Sequence, residues 1–192
     1  MKLLSKILLS SALAMTLANA TPHTLDNMHT DVGFSVKHLM ITNVKGNFTD
    51  YEGKIDFDYK TKTFNALEAK IKATSVNTGI EKRDNHLRSD DFFAAAKYPE
   101  ITFKMKSYKA DGDEGVMTGD LTIRGITKEV ELDVEDIATI KDLEGNNRVG
   151  FTLEGKINRM DFDLKWNKAL EFGGVAVSET VKLIVEVQAV EK

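Results

Sequence analysis

Apolar and polar residues alternate along most of this chain, and a period of two dictates β-strands. Val32, Phe34, Val36 and His38 share one face of a first strand. The stretch from Val44 to Phe57 alternates as well, but its parity changes. Val44, Gly46 and Phe48 are even, whereas Gly53, Ile55 and Phe57 are odd. A slip of one residue turns every side chain to the opposite face, so the chain must bulge or turn near Asp50-Tyr51. Leu67, Ala69, Ile71 and Ala73 line a third strand, and Ile101, Phe103 and Met105 a fourth. Met117 to Ile123, Val130 to Val134, Val149 to Ile157 and Val181 to Ala189 continue the pattern. Turn residues punctuate it at Asp111–Gly115, Gly125 and Glu144–Asn147. Roughly eight evenly spaced antiparallel strands with little helix predict an all-β barrel or sandwich. An eight-stranded barrel leaves room for side chains or for one small ligand.

One block breaks the pattern. It begins at Arg83 as RDNHLRSDDFF and runs through AAAKYPEITF to Phe103. Its first half is polar and helical in character, and its second half turns at Pro99 into a strand. Asp84 and Arg88 are four apart, the spacing of a helical ion pair, and so are His86 and Asp90. Leu87 is positioned to turn inward, and Phe92 with Phe93 to plug a barrel end. A single charged helix on a barrel reads as a mobile cap over a ligand mouth, with Arg83, His86 or Arg88 near a polar head group. The bland alternative is a lid whose charges satisfy one another and solvent. A second irregular stretch, Ile157 to Trp166, follows a clear strand; there Arg159 and Asp161 are expected to pair, and Trp166 to line a cavity or fill the core.

Catalytic and metal signatures are sparse. His23, His29, His38 and His86 show no ligand spacing such as H-x-H or H-E-x-x-H. The acidic turn at Asp111 lacks the glycine and glutamate of a calcium loop. There is no G-x-S-x-G elbow, no glycine-rich phosphate loop and no cysteine. Ser35 points away from His38 on its strand. Asn47-Phe48-Thr49 fits the glycosylation sequon, a pattern common by chance. The formal net charge of −4 disfavours nucleic acid, whose phosphates call for a basic face. A membrane-spanning barrel would need an apolar outer band, but here Lys and Glu run along the polar faces.

The first twenty residues read as a secretory signal peptide. Lys2 and Lys6 precede an apolar run from Ile7 to Leu17, and Ala18-Asn19-Ala20 fits cleavage after Ala20. Residues 21–192 then form one domain. A secreted, cysteine-free domain suits a bacterial periplasm.

Several landmarks occur together and in order. They are FSVKH (Phe34–His38), Gly46-Asn47-Phe48, KRDNHLRSDDFF with YPEITF, GDLTIRGITKEVEL (Gly119–Leu132), INRMDF, and GGVAVSETVKLIVE (Gly173–Glu186). This set resembles the YceI-like family of secreted lipid-binding proteins over nearly the whole mature chain. Two positions depart from it: Ala94 stands where the family commonly has an acid, and Asp163 where a glycine is common. The resemblance implies an extended, lipocalin-like antiparallel barrel of eight strands with one short helical cap. Its pore would hold a long-chain amphiphile such as a polyisoprenoid, an isoprenoid quinone or a fatty amide. No cofactor beyond that lipid is expected, nor catalysis. A homodimer and transient membrane contact are expected as well.

The expected ligand-binding residues are Phe34, Val36, His38, Arg83, His86, Phe103, Met105, Phe151, Leu153, Trp166 and Val185. Each buried CH₂ contributes about 0.8 kcal/mol. About 15 buried carbons then give ~12 kcal/mol against an association cost of ~4–15 kcal/mol, so tail length is expected to matter more than head group. Two other readings stand beside this one. One is an enzyme acting on an isoprenoid-like lipid, with His38 or His86 as general base. The other is a structural or interaction module with a solid core.

Overall fold

The computed structural model describes residues 21–192 with the exception of Phe172. The expected signal peptide, residues 1–20, lies outside the described residues. The strands are β1 (Pro22–Leu25), β2 (Asp31–His38), β3 (Thr42–Phe48), β4 (Tyr51–Asp58), β5 (Thr63–Lys72) and β6 (Val76–Asn77). After the helix α1 (Glu81–Arg88) come β7 (Glu100–Asp111), β8 (Glu114–Ile123), β9 (Ile126–Lys141), β10 (Asn147–Asn158) and β11 (Val177–Glu191).

These eleven segments form one sheet, and pairing of β1 with β11 closes it into a barrel. β11 holds β1 through Ala189–Glu191 and β2 through Val177–Glu186. β3 runs on into β4 after a short break. β5 passes through a 3-10 turn (Ala73–Ser75) into β6, which pairs back onto β3. Three pairs of segments are therefore single barrel strands, each broken once. With β7 to β11 they make the eight-stranded antiparallel barrel that the sequence predicts. The parity change near Asp50 is one of the breaks. There Thr49 N–H donates to Ser75 C=O (3.2 Å) and Lys72 N–H to Asp50 C=O (2.9 Å), which keeps the backbone paired while the side chains switch faces. The β8–β9 hairpin turns on Arg124-Gly125, both at positive φ, as a two-residue turn matched to strand twist requires.

Inward-facing residues divide the barrel into two halves. On β11, Val187 and Ala189 are buried, yet Val181, Leu183 and Val185, on the same face, remain only half-buried. All of the inward residues of β2 are half-buried too. The buried half is solid with aromatic rings. Phe64 meets Phe57 at 5.0 Å, Tyr108 at 5.0 Å and Phe151 at 4.7 Å between centroids. Below them the buried His23 Nε2 lies 2.6 Å from the Tyr59 hydroxyl, whose pKa burial pushes up to about 12.

The cap is one short helix, as expected, but it is tied by other contacts than the expected pairs. At eight residues α1 is too short to be stable alone, and its side chains fasten it to the barrel. Buried Asp84 does not pair with Arg88. It accepts the backbone N–H of Thr78 (2.9 Å) and the Thr78 hydroxyl. Arg83 donates to that same hydroxyl (2.7 Å) and to Thr78 C=O (2.9 Å). Arg88 donates to the carbonyls of Thr74 (2.7 Å) and Val76 (2.8 Å). The strand connector presents carbonyls that only a donor can satisfy, and the Arg88 fork supplies two N–H groups to them, which holds it away from Asp84. His86 pairs with Asp91 at 2.8 Å, not with Asp90. From the β8–β9 turn, Arg124 donates to the carbonyls of Asp90 (2.9 Å) and Phe92.

Candidate functional site

A cavity of about 330 Å³ occupies the hollow half of the barrel, beneath the cap. Its wall is nearly all apolar. Phe34, Val36, Phe103, Leu153 and Val185 line it from the strands. Two glycines make room for the rings. A Cβ on Gly46 would stand 2.6 Å from Phe34 Cζ, and one on Gly119 would press closer still on Phe103 Cζ. The cap contributes Leu87, Phe92 and Phe93. Phe93 meets Phe48 at 5.6 Å, and Phe48 meets Phe34 at 5.8 Å, so aromatic contact runs unbroken from cap to wall.

Nine of the eleven expected residues line this cavity: the five above with His38, Arg83, His86 and Trp166. Met105 and Phe151 do not. Both point inward, one strand step below Phe103 and Leu153, but Phe151 is part of the aromatic floor on Phe64. Met105 sits at a register shift between Met105 and Ser107 and packs on the core rather than the hollow. The expected tunnel thus stops at the floor.

Polar groups gather at the capped end. Trp166 stands edge-on to His86, with centroids 4.9 Å apart, and is tilted against Phe92 at 5.3 Å. His38, at the end of β2, is paired with Val177 of β11. The charged cavity residue that the sequence-based set lacks is Arg159. It is buried and donates to the carbonyls of Ser178 (2.8 Å), Val177 (3.2 Å) and Leu164. Its expected pairing with Asp161 is not formed, because its fork turns inward to close the β10–β11 connection. The alternation could have revealed it: Val149, Phe151, Leu153 and Ile157 put Arg159 on the inner face. Burial lowers the guanidinium pKa while Glu179 raises it; an arginine remains charged under such pressure. Asp163, where the YceI-like pattern commonly has glycine, takes the left-handed conformation (φ 61°) and pairs with Lys165 at 2.7 Å. Among the described residues, no cluster of three or more His, Cys, Asp or Glu could hold a metal.

Comparison with known proteins places this geometry. Residues 23–189 match the family model of the YceI-like domain. Protein YceI of Escherichia coli O157:H7 is 40% identical over 167 residues, 87% of this chain and 84% of that one. The crystal structure of a Campylobacter jejuni YCEI protein superposes with a TM-score of 0.73 at 49% identity, covering 88% of this chain and 97% of that one. A polyisoprenoid binding domain from Saccharophagus degradans shares the fold alone, with a TM-score of 0.65 at 18% identity over 91% of this chain and 100% of that one. On the family model and on relatives of this identity over most of both chains, the protein belongs to the YceI-like family.

Proposed function

We propose that this protein binds an amphiphilic lipid, holding its tail in the half-barrel cavity, and carries or sequesters it in the periplasm. The observation that supports this most is the hollow itself. A barrel with a well-packed aromatic floor keeps an apolar cavity directly above it, roofed by aromatic residues of the cap. Such a void sacrifices packing unless something fills it. The Saccharophagus domain, described as polyisoprenoid binding, adds support for an isoprenoid-like tail. A methylene takes about the ~30 Å³ that water occupies in the liquid, so the cavity holds about 11 such groups. Those contribute ~9 kcal/mol, inside the ~4–15 kcal/mol cost of association. A short tail alone therefore binds weakly, and the head group gains importance. Native mass spectrometry of gently purified protein is expected to show a retained lipid. Protein that is empty, and that also refuses prenyl and alkyl amphiphiles of every length, would overturn the reading.

Binding is favoured over catalysis because, among the described residues, the cavity wall carries no serine, cysteine or carboxylate for His38 or His86 to activate. Contact with a bilayer fits the hairpin between β2 and β3. Its tip, Leu39-Met40-Ile41, is exposed, with Ile41 at 77%. Lys37 and Lys45 flank it, and the neighbouring β10–β11 connection adds Lys165 and Lys168; across residues 37–45 and 164–176 the one acid is Glu171. The homodimer that the resemblance implies belongs to the same reading, and sedimentation velocity tests it.

A further inference from the structure

Among the described residues, the charged and titratable side chains that line the cavity are His38, Arg83, His86 and Arg159, and no aspartate or glutamate joins them. Two of the four have a carboxylate at hand outside the cavity. Arg83 shares the Thr78 hydroxyl with buried Asp84, and His86 is paired with Asp91. Arg159 is different. It is 3% exposed, and among the described residues no carboxylate lies within ion-pair distance of it. The Glu179 field reaches it, but Glu179 is itself exposed to solvent. Its partners are three carbonyl oxygens. Carbonyl dipoles orient a guanidinium without cancelling its charge. Of its five N–H groups, three are accounted for and two remain. A buried charge without a counter-charge is costly, and here it sits on the wall of an apolar hollow, beside Val177, the β-partner of His38.

We infer that the cavity takes an amphiphile with an anionic head, a carboxylate or a phosphate monoester, seated against Arg159. This rests on the lipid-binding reading and narrows it from amphiphiles in general to anionic ones. The tail fills the hollow down to the Phe64–Phe151 floor. The head supplies the counter-charge that the fold omits, and the planar fork of Arg159 suits the two oxygens of a carboxylate or phosphate.

The test compares heads on matched tails. Dodecanoic acid is set against dodecanol, and farnesyl phosphate against farnesol, with inorganic phosphate as a control, all by calorimetry on the purified chain. The anionic member of each pair is expected to bind about tenfold more tightly or better. That preference is expected to vanish in Arg159→Met and to persist in part in Arg159→Lys. Arg159 also holds three carbonyls, so should Arg159→Met fail to fold, a pH series on the unaltered protein decides. Dodecanoic acid is expected to lose affinity as pH falls through the carboxylate range, at about pH 4–5, while dodecanol stays level. Equal affinity for acid, phosphate and alcohol overturns the inference, and so does inorganic phosphate binding as tightly as farnesyl phosphate. Failure of every amphiphile to bind overturns the lipid-binding reading instead.

Discussion

His86 stands edge-on to Trp166, ring centroids 4.9 Å apart at 89°, and this contact joins the cap to the β10–β11 connection across the mouth of the cavity. Edge-to-face aromatic pairs add about 0.5–1.5 kcal/mol beyond their buried area. Trp166 is the chain's single tryptophan, so its emission reports on the mouth.

Uptake is expected to pass the cap. In Leu87→Asp a charge replaces an apolar lining group, and lipid release, followed by Trp166 emission in stopped flow, is expected to quicken about tenfold. Phe93→Ala is expected to weaken binding by opening the aromatic contact with Phe48. Unchanged release and affinity in both variants would make the block a folded connector and nothing more.

The floor and the hollow should respond oppositely to changes in volume. Phe151→Ala removes a packed ring and is expected to cost about 3–5 kcal/mol of stability, read by urea unfolding, while leaving binding in place. Val185→Trp fills the hollow and is expected to abolish binding with a much smaller loss of stability. A ligand still bound at full affinity in Val185→Trp would place it elsewhere.

Acid stability should depend on the closed end. Arg148 bonds Asp142 and Asp26, each at 2.7 Å. With help from backbone N–H donors, Arg148 holds the Asp142 carboxyl down at about 2, from an ordinary 3.8. A depressed carboxylate stabilises the fold above its unfolded pKa, and that contribution is lost as pH falls through the folded value. The loss is therefore expected between about pH 4 and pH 2. Thermal melts across this window should show Arg148→Met unfolding at higher pH than the unaltered chain. Coincident acid transitions would refute the assignment.

The exposed hairpin should matter only at a membrane. Ile41→Asp is expected to reduce co-sedimentation with vesicles containing anionic phospholipid, since it places a like charge and removes an apolar anchor. Binding of free lipid in solution should be unaltered. Equal vesicle binding by both forms would exclude this tip as the contact.

The barrel was legible because its signal is local. Inner and outer faces alternate along each strand, so Phe34, Val36, Leu153 and Val185 could be assigned to the interior one strand at a time. Even the break at Asp50 was written in the parity of Val44–Phe57. Arg159 was equally readable from β10, but a charged residue in an irregular stretch invites pairing with the nearest acid. The cap showed the same difficulty. Helical spacing offered Asp84–Arg88, whereas the carbonyls that Arg88 meets belong to Thr74 and Val76, on a connector whose path depends on β5, β6 and β3 together.

The sequence by itself determined an antiparallel barrel with a polar cap and an apolar interior, because period-two alternation and turn residues act over a few neighbours. Only the tertiary structure decided how much of that interior is empty. Met105 and Val185 carry the same inward signal, yet Val185 lines the void and Met105 does not. That difference is set by which rings meet across the barrel: Phe57, Phe64, Tyr108 and Phe151 close one half. In the other half, Gly46 and Gly119 let Phe34 and Phe103 lie back against the wall and leave the centre open.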